Sequence, residues 1–154
     1  MPGESQTLAL LRRFVLVIWL VGLLGTAAEL FLLGHTEGFW QLIPLGLIFG
    51  SLLSLAAYGV ARRRGCLRLF QSTLWLFVAS GVAGMVLHLL GKLEFKRETD
   101  PSLAGWELFR GALQGSVPPL LAPAAMIQFG LLGLAYTFRH PVLTDSTTTP
   151  RIDS

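Results

Sequence analysis

The sequence predicts an all-α integral membrane protein, a four-helix transmembrane bundle with a short amphipathic helix in the extracytoplasmic loop between helices 3 and 4. Three observations predict it. Of 154 residues, 53% are hydrophobic and only 14% charged, whereas water-soluble domains are about a quarter charged; the mean hydropathy is +0.62. The apolar residues fall into four runs, each near the roughly 20 helical residues that cross a hydrocarbon core about 30 Å thick. The basic residues sit in short clusters beside those runs, the pattern of topology signals and not of a nucleic-acid surface. In lipid, a helix pairs every backbone N–H and C=O within its own segment, so each run reads as helical.

The first span covers residues 14–33, FVLVIWLVGLLGTAAELFLL, after a lead that ends in Arg12 and Arg13. Up to Ala28 this has the layout of a signal peptide: a basic start, an apolar centre and Thr-Ala-Ala. The apolar run resumes at Leu30 after a lone Glu29, which favours a retained helix; cleavage after Ala28 would leave three spans. Residues 34–41, GHTEGFWQ, form a loop punctuated by glycine.

The second span is 42–60, with Pro44 in its first turn, where a missing N–H matters little. Gly46 and Gly50 make a GxxxG pair continued by Ser54, a pattern that suits close helix packing. ARRRGCLR, residues 61–68, is a compact basic loop.

The third span is 71–91. Gly81, Gly84, His88 and Gly91 recur at three, four and three and so share one stripe, which puts His88 on a packing face. Beyond it lies a polar stretch, 92–116. Asp100-Pro101 reads as an N-cap and first helical residue, and Leu103, Trp106, Phe109, Ala112 and Leu113 follow at helical spacing. Such a helix lies along the membrane surface or packs over the bundle. If the third helix continues into LEFKRETD, residues 93–100, then Glu94–Glu98 and Lys92–Lys96 become like-charge pairs four apart. The last span is 119–138, opened by Pro118-Pro119, with Pro123 as a kink. Residues 1–138 thus form one domain, and 139–154 a polar, disordered cytoplasmic tail.

Eight arginines flank the N-terminal side, the 61–68 loop and the tail, against four lysines and arginines on the other side: Lys92, Lys96, Arg97 and Arg110. The positive-inside tendency therefore places both termini in the cytoplasm of a plasma (inner) membrane protein.

Three polar residues are expensive at their expected depth: Glu29, His88 and Gln128. An ionised carboxylate in hydrocarbon costs at least a few kcal/mol unless it is paired or hydrated. Glu29 shares a stripe with Gly22 and Gly25, so it is expected to face the interior and to approach His88 across a helix 1–helix 3 contact; otherwise each side chain snorkels to the outer interface. His35, Glu37, Glu94 and Glu98 gather with His88 at the outer rim. Haem would use His35 and His88 as axial ligands, and zinc would want three or four convergent ligands, yet none of these residues sits in a ligand-spaced motif. No cofactor or metal is therefore expected. His140, beside the arginines, reads as a helix-end residue.

No phosphate loop, GxSxG, HExxH or nucleophile–base pattern is present, so catalysis is the weakest class. The single cysteine, Cys66, excludes an intramolecular disulfide. Small residues on every span, including Gly22, Gly25, Gly46, Gly50, Gly81 and Gly84, point to tight packing and to oligomers. The leading expectation is a structural, assembly or accessory subunit of a membrane complex, in contact with lipid and with other membrane proteins or copies of itself. The alternatives are an oligomeric ion or proton channel or carrier using Glu29 and His88, and a haem- or metal-binding redox subunit.

Overall fold

The computed structural model describes residues 2–34, 38–114 and 121–144. Among them the chain is helical, with no strand: α1 (Pro2–Leu32), α2 (Phe39–Ala61), α3 (Arg64–Thr99), α4 (Gly105–Gln114), α5 (Leu121–Thr137) and the single turn α6 (Pro141–Thr144). By length and composition, α1, α2 and α3 are each long and apolar enough to cross a membrane, and α5 is a shorter apolar helix.

The long helices run antiparallel in sequence order. The closest pairing is α3 with α5, followed by α2 with α3 and α1 with α5; α1 and α2 touch lightly. The α3–α5 seam is reciprocal. A Cβ on Gly81 would stand 2.6 Å from Ile127 and 2.7 Å from the Pro123 carbonyl oxygen, and one on Gly130 would stand 2.6 Å from Val78 and 2.8 Å from the Leu74 carbonyl. A Cβ on Gly84 would stand 2.9 Å from the Pro123 side chain, and Gly133 receives the Leu74 side chain. Each helix thus offers two glycines as hollows for the other's bulk, so the backbones approach closely.

Large side chains fill the middle. Trp19 and Leu23 of α1 are fully buried with Phe70, Leu74 and Phe77 of α3. The Trp19 and Phe70 rings meet edge to face at 5.3 Å, a preferred aromatic geometry. Trp19 Nε1–H donates to the Phe129 carbonyl at 2.9 Å, which satisfies the one polar atom of a side chain otherwise suited to this core.

Several boundaries differ from the sequence expectation. Residues 2–11 belong to α1 and are not a lead outside it. α2 starts at Phe39, so Pro44 lies inside the helix, beyond the first turn. The basic loop shrinks to Arg62 and Arg63: Arg62 ends α2 in a left-handed conformation (φ 52) and Arg63 caps α3, whose first turns hold Arg64 and Arg68. α3 runs on to Thr99, and α4 packs against it; Lys92 is 4% exposed. The carbons of Lys96 lie over Gly111 of α4, while Glu94 and Glu98 stay exposed. Asp100 is the C-cap of α3 and not an N-cap; its carboxylate accepts the Ser102 hydroxyl at 2.6 Å, and α4 begins only at Gly105, where φ is +53. The expected tail also shortens, since residues 139–144 fold back onto the bundle. Pro118 and Pro119 lie outside the described residues.

Candidate functional site

The expected site residues do not converge. α1 turns about 100° per residue, and its buried stripe is Trp19, Leu23 and Leu30. Gly25 and Glu29 fall well to one side of that stripe and are exposed. Glu29 therefore does not face the interior, because bulky residues and not the glycine stripe set the orientation of α1. The principal neighbours of α1 are α5 and α2, so the helix 1–helix 3 seam expected to carry a Glu29–His88 pair is not one of the main interfaces. His88 is half-buried on the face of α3 that carries Gly81. Gln128 is exposed and lines an open groove of about 450 Å³ with Ala124, Ile127, Leu131 and Leu132. His35 and Glu37 lie outside the described residues. Among the described residues no group of three or more His, Cys, Asp or Glu side chains is placed to hold a metal.

The glycines divide. A Cβ on Gly22 would stand 2.6 Å from the Phe129 ring, and Gly81 and Gly84 take part in the α3–α5 seam. Gly25, Gly46 and Gly50 have nothing within 4 Å of a Cβ. In α2 the buried face is Ile48, Ser51, Ser54 and Tyr58. Ser51 and Ser54, with hydroxyls returned to the carbonyls of Ile48 and Ser51 at 2.8 and 2.9 Å, are the small residues on that buried face. Ser54 follows Gly46 and Gly50 at the same spacing, and burial along that stripe rises from exposed Gly46 through half-buried Gly50 to buried Ser54.

The denser polar arrangement lies at the arginine-rich end. Arg12 of α1 donates Nη2 hydrogens to the carbonyls of Phe138 (3.3 Å) and Arg139 (2.7 Å). It thereby caps the negative end of α5 with a cation. Arg139 ends α5 with φ 46, which turns His140 back toward α2. The His140 ring meets Tyr58 edge to face at 5.6 Å and Tyr136 at 5.8 Å. Its Nδ1 accepts the Val142 N–H at 3.4 Å, so the neutral ring carries its hydrogen on Nε2, which reaches the Tyr58 hydroxyl oxygen at 3.4 Å. Arg62 lies over the Tyr58 ring at 5.9 Å and donates Nε–H to the Gly59 carbonyl at 3.2 Å. Beside them, Gln71 donates to the Thr137 hydroxyl at 3.1 Å.

This environment favours neutral His140. Burial, then the Arg12 and Arg62 guanidinium charges, hold its pKa below the ordinary 6.5. The sequence signal was modest but present: Tyr58 with Arg62, and Tyr136 with His140, repeat an aromatic–basic pair four residues apart at two helix ends. Nothing local in the sequence says that those two ends meet.

The cluster is polar and cationic. It contains no nucleophile–base pair, and its evident chemistry is to tie three helix ends together and to present guanidinium groups. Comparison of the chain with protein-family models, with curated proteins and with solved structures gives no match.

Proposed function

We propose that this chain is a four-span plasma-membrane protein that acts as a structural, assembly or accessory subunit by packing its outer faces against other membrane helices. In this reading α5, with the residues before it, is the fourth span, and α4 lies at the opposite membrane surface from the arginines. Both termini are cytoplasmic, because the arginines of α1, of the α2–α3 turn and of the α5 end gather on one side.

One observation carries the reading. The outer faces of α2 and α5 are unlike plain lipid-facing surface. Gly46 and Gly50 lie open on α2, and Gln128 is exposed near the middle of an apolar helix. Lipid tails do not hydrogen-bond, so a mid-membrane glutamine gains from a second helix, and a bare GxxxG surface lets one approach. An ion path through Glu29 would have to run between copies, since Glu29 lies on the outside of the single bundle.

The test is purification of tagged protein in mild detergent, with Gly50→Leu and Gln128→Leu as variants. A wild type that carries associated protein or runs as an oligomer, and loses it in both variants while staying helical, agrees with the proposal. A monodisperse monomer that brings nothing with it would refute it. Terminal tags reporting from opposite compartments would refute the four-span arrangement.

A further inference from the structure

We propose that the arginine-rich end of the bundle is a binding site for the phosphate of an anionic lipid headgroup, held by Arg12 and Arg62 with Arg139 beside them. This rests on the membrane reading above but not on the packing of partner helices.

Among the described residues the charges there are gathered with no carboxylate beside them. Arg12 and Arg62 come from α1 and from the α2–α3 turn, yet both act on the same imidazole. Each is anchored by only part of its fork: Arg12 through Nη2 to two carbonyls, Arg62 through Nε to one. Among the described residues the other guanidinium hydrogens of these two arginines have no acceptor. Arg64, the first residue of α3, keeps a solvent-shielded Nε with no hydrogen-bond partner among the described residues. The carboxylates with described side chains are Glu29, Glu94, Glu98, Asp100 and Glu107, and all belong to the far end. Along α1 alone, Glu29 lies about 25 Å from Arg12, beyond the reach of a screened charge. The end-on Nη1/Nη2 pair of Arg62 stays free and matches a phosphate, while Arg12, whose Nη2 is spent on two carbonyls, adds single donors from Nη1 and Nε.

The surroundings select a lipid over free phosphate. Val60 and Phe138, next to Tyr58–Arg62 and to Arg139 respectively, are 89% and 69% exposed. An apolar side chain standing beside a cation offers contact to an acyl chain as well as to a headgroup.

The experiment uses full-length protein in neutral detergent micelles. Phosphatidylglycerol, phosphatidylcholine or inorganic phosphate is titrated in, and bound lipid is read by native mass spectrometry. The expected result is preferential retention of phosphatidylglycerol and no competition from millimolar phosphate. In Arg12→Gln/Arg62→Gln the affinity should fall about a hundred-fold, since each charge-assisted hydrogen-bonding contact to the phosphate contributes about a factor of ten. Arg13→Gln/Arg68→Gln, which removes the same charge elsewhere on that end, should lose only a few-fold. Arg12→Lys/Arg62→Lys keeps the charge and the cap and should fall between wild type and the glutamine pair. This decides the matter even if the glutamine pair misfolds. Equal retention of the two lipids, equal losses in the two glutamine pairs, or displacement by phosphate would overturn the proposal. A chain that stays dissolved without detergent would instead sink the membrane reading, a failure visible before any lipid is added.

Discussion

Trp19 on α1 hands its indole hydrogen to the main-chain carbonyl of Phe129 on α5 at 2.9 Å, across a separation of 110 residues. The ring also closes the centre of the bundle, where it is 0% exposed. These two contributions separate by mutation. Trp19→Phe keeps most of the ring and loses the hydrogen bond, a loss of about 0.5–1.5 kcal/mol. Trp19→Ala empties the space as well and should lose about 3–5 kcal/mol. Unfolding in micelles by a denaturing detergent measures both, and equal losses would mean that the hydrogen bond, and not the packing, dominates.

Glycines that look alike in sequence should behave differently. Gly130→Ala places a methyl 2.8 Å from a backbone oxygen of α3, and Gly81→Ala places one 2.7 Å from a backbone oxygen of α5. Neither neighbour can swing away, so each variant should lose about 1–3 kcal/mol. Gly46→Ala meets nothing within 4 Å and should be neutral or slightly stabilising, because alanine is the better helix former by about 1 kcal/mol. A large loss of stability in monomeric Gly46→Ala would contradict the placement of α2.

The sequence was informative wherever one residue type had one physical reason to be there. Long apolar runs mean helices that shun water, and that reading of α1, α2 and α3 follows from composition alone. Azimuth was harder. Gly22, Gly25 and Glu29 do share a stripe, but a stripe says only that residues lie together, not which way they point. On α1 that was decided by Trp19 and Leu23, whose bulk outweighs the attraction of a small-residue face. On α2 it was decided by Ser51 and Ser54, which are nearly as small as glycine and return their hydroxyls to their own helix. The arginine end was legible as charge. Its organisation around His140 was not, because Tyr58 and His140 are 82 residues apart in the chain and meet only once α2 and α5 are packed on α3.

His140 gives the fold a pH dependence with a definite sign. Its pKa in the folded chain lies below the ordinary 6.5, mainly through burial and then through Arg12 and Arg62. Between the two values the unfolded chain binds more protons than the folded one, so stability rises with pH across that window and falls on acidification below about 6.5. Protonation also fills Nδ1, which then no longer accepts the Val142 N–H at the start of α6. Melting temperatures in micelles should therefore drop from pH 7.5 to 5.5, and His140→Gln should flatten that slope. A slope unchanged in the variant would show that another group carries it.

The last prediction concerns α4, whose surface divides into three sectors. Leu108 and Ala112 are buried against the end of α3, and Glu107, Arg110 and Gln114 are exposed on one flank. On the other flank the Trp106 and Phe109 rings stack at 5.4 Å, with Trp106 72% exposed and Leu113 beside them. A helix that merely covered the bundle would need no second apolar sector. One lying in a membrane surface needs both, the first for the protein and the second for lipid. Nitroxide labels at Phe109→Cys and Arg110→Cys, in a Cys66→Ser background in bilayers, distinguish the two cases. Relaxation at 109 should respond more to oxygen, which concentrates in lipid, and relaxation at 110 more to a water-soluble nickel chelate. If both positions favour the chelate, α4 stands clear of the bilayer, and its aromatic flank must be covered by protein instead.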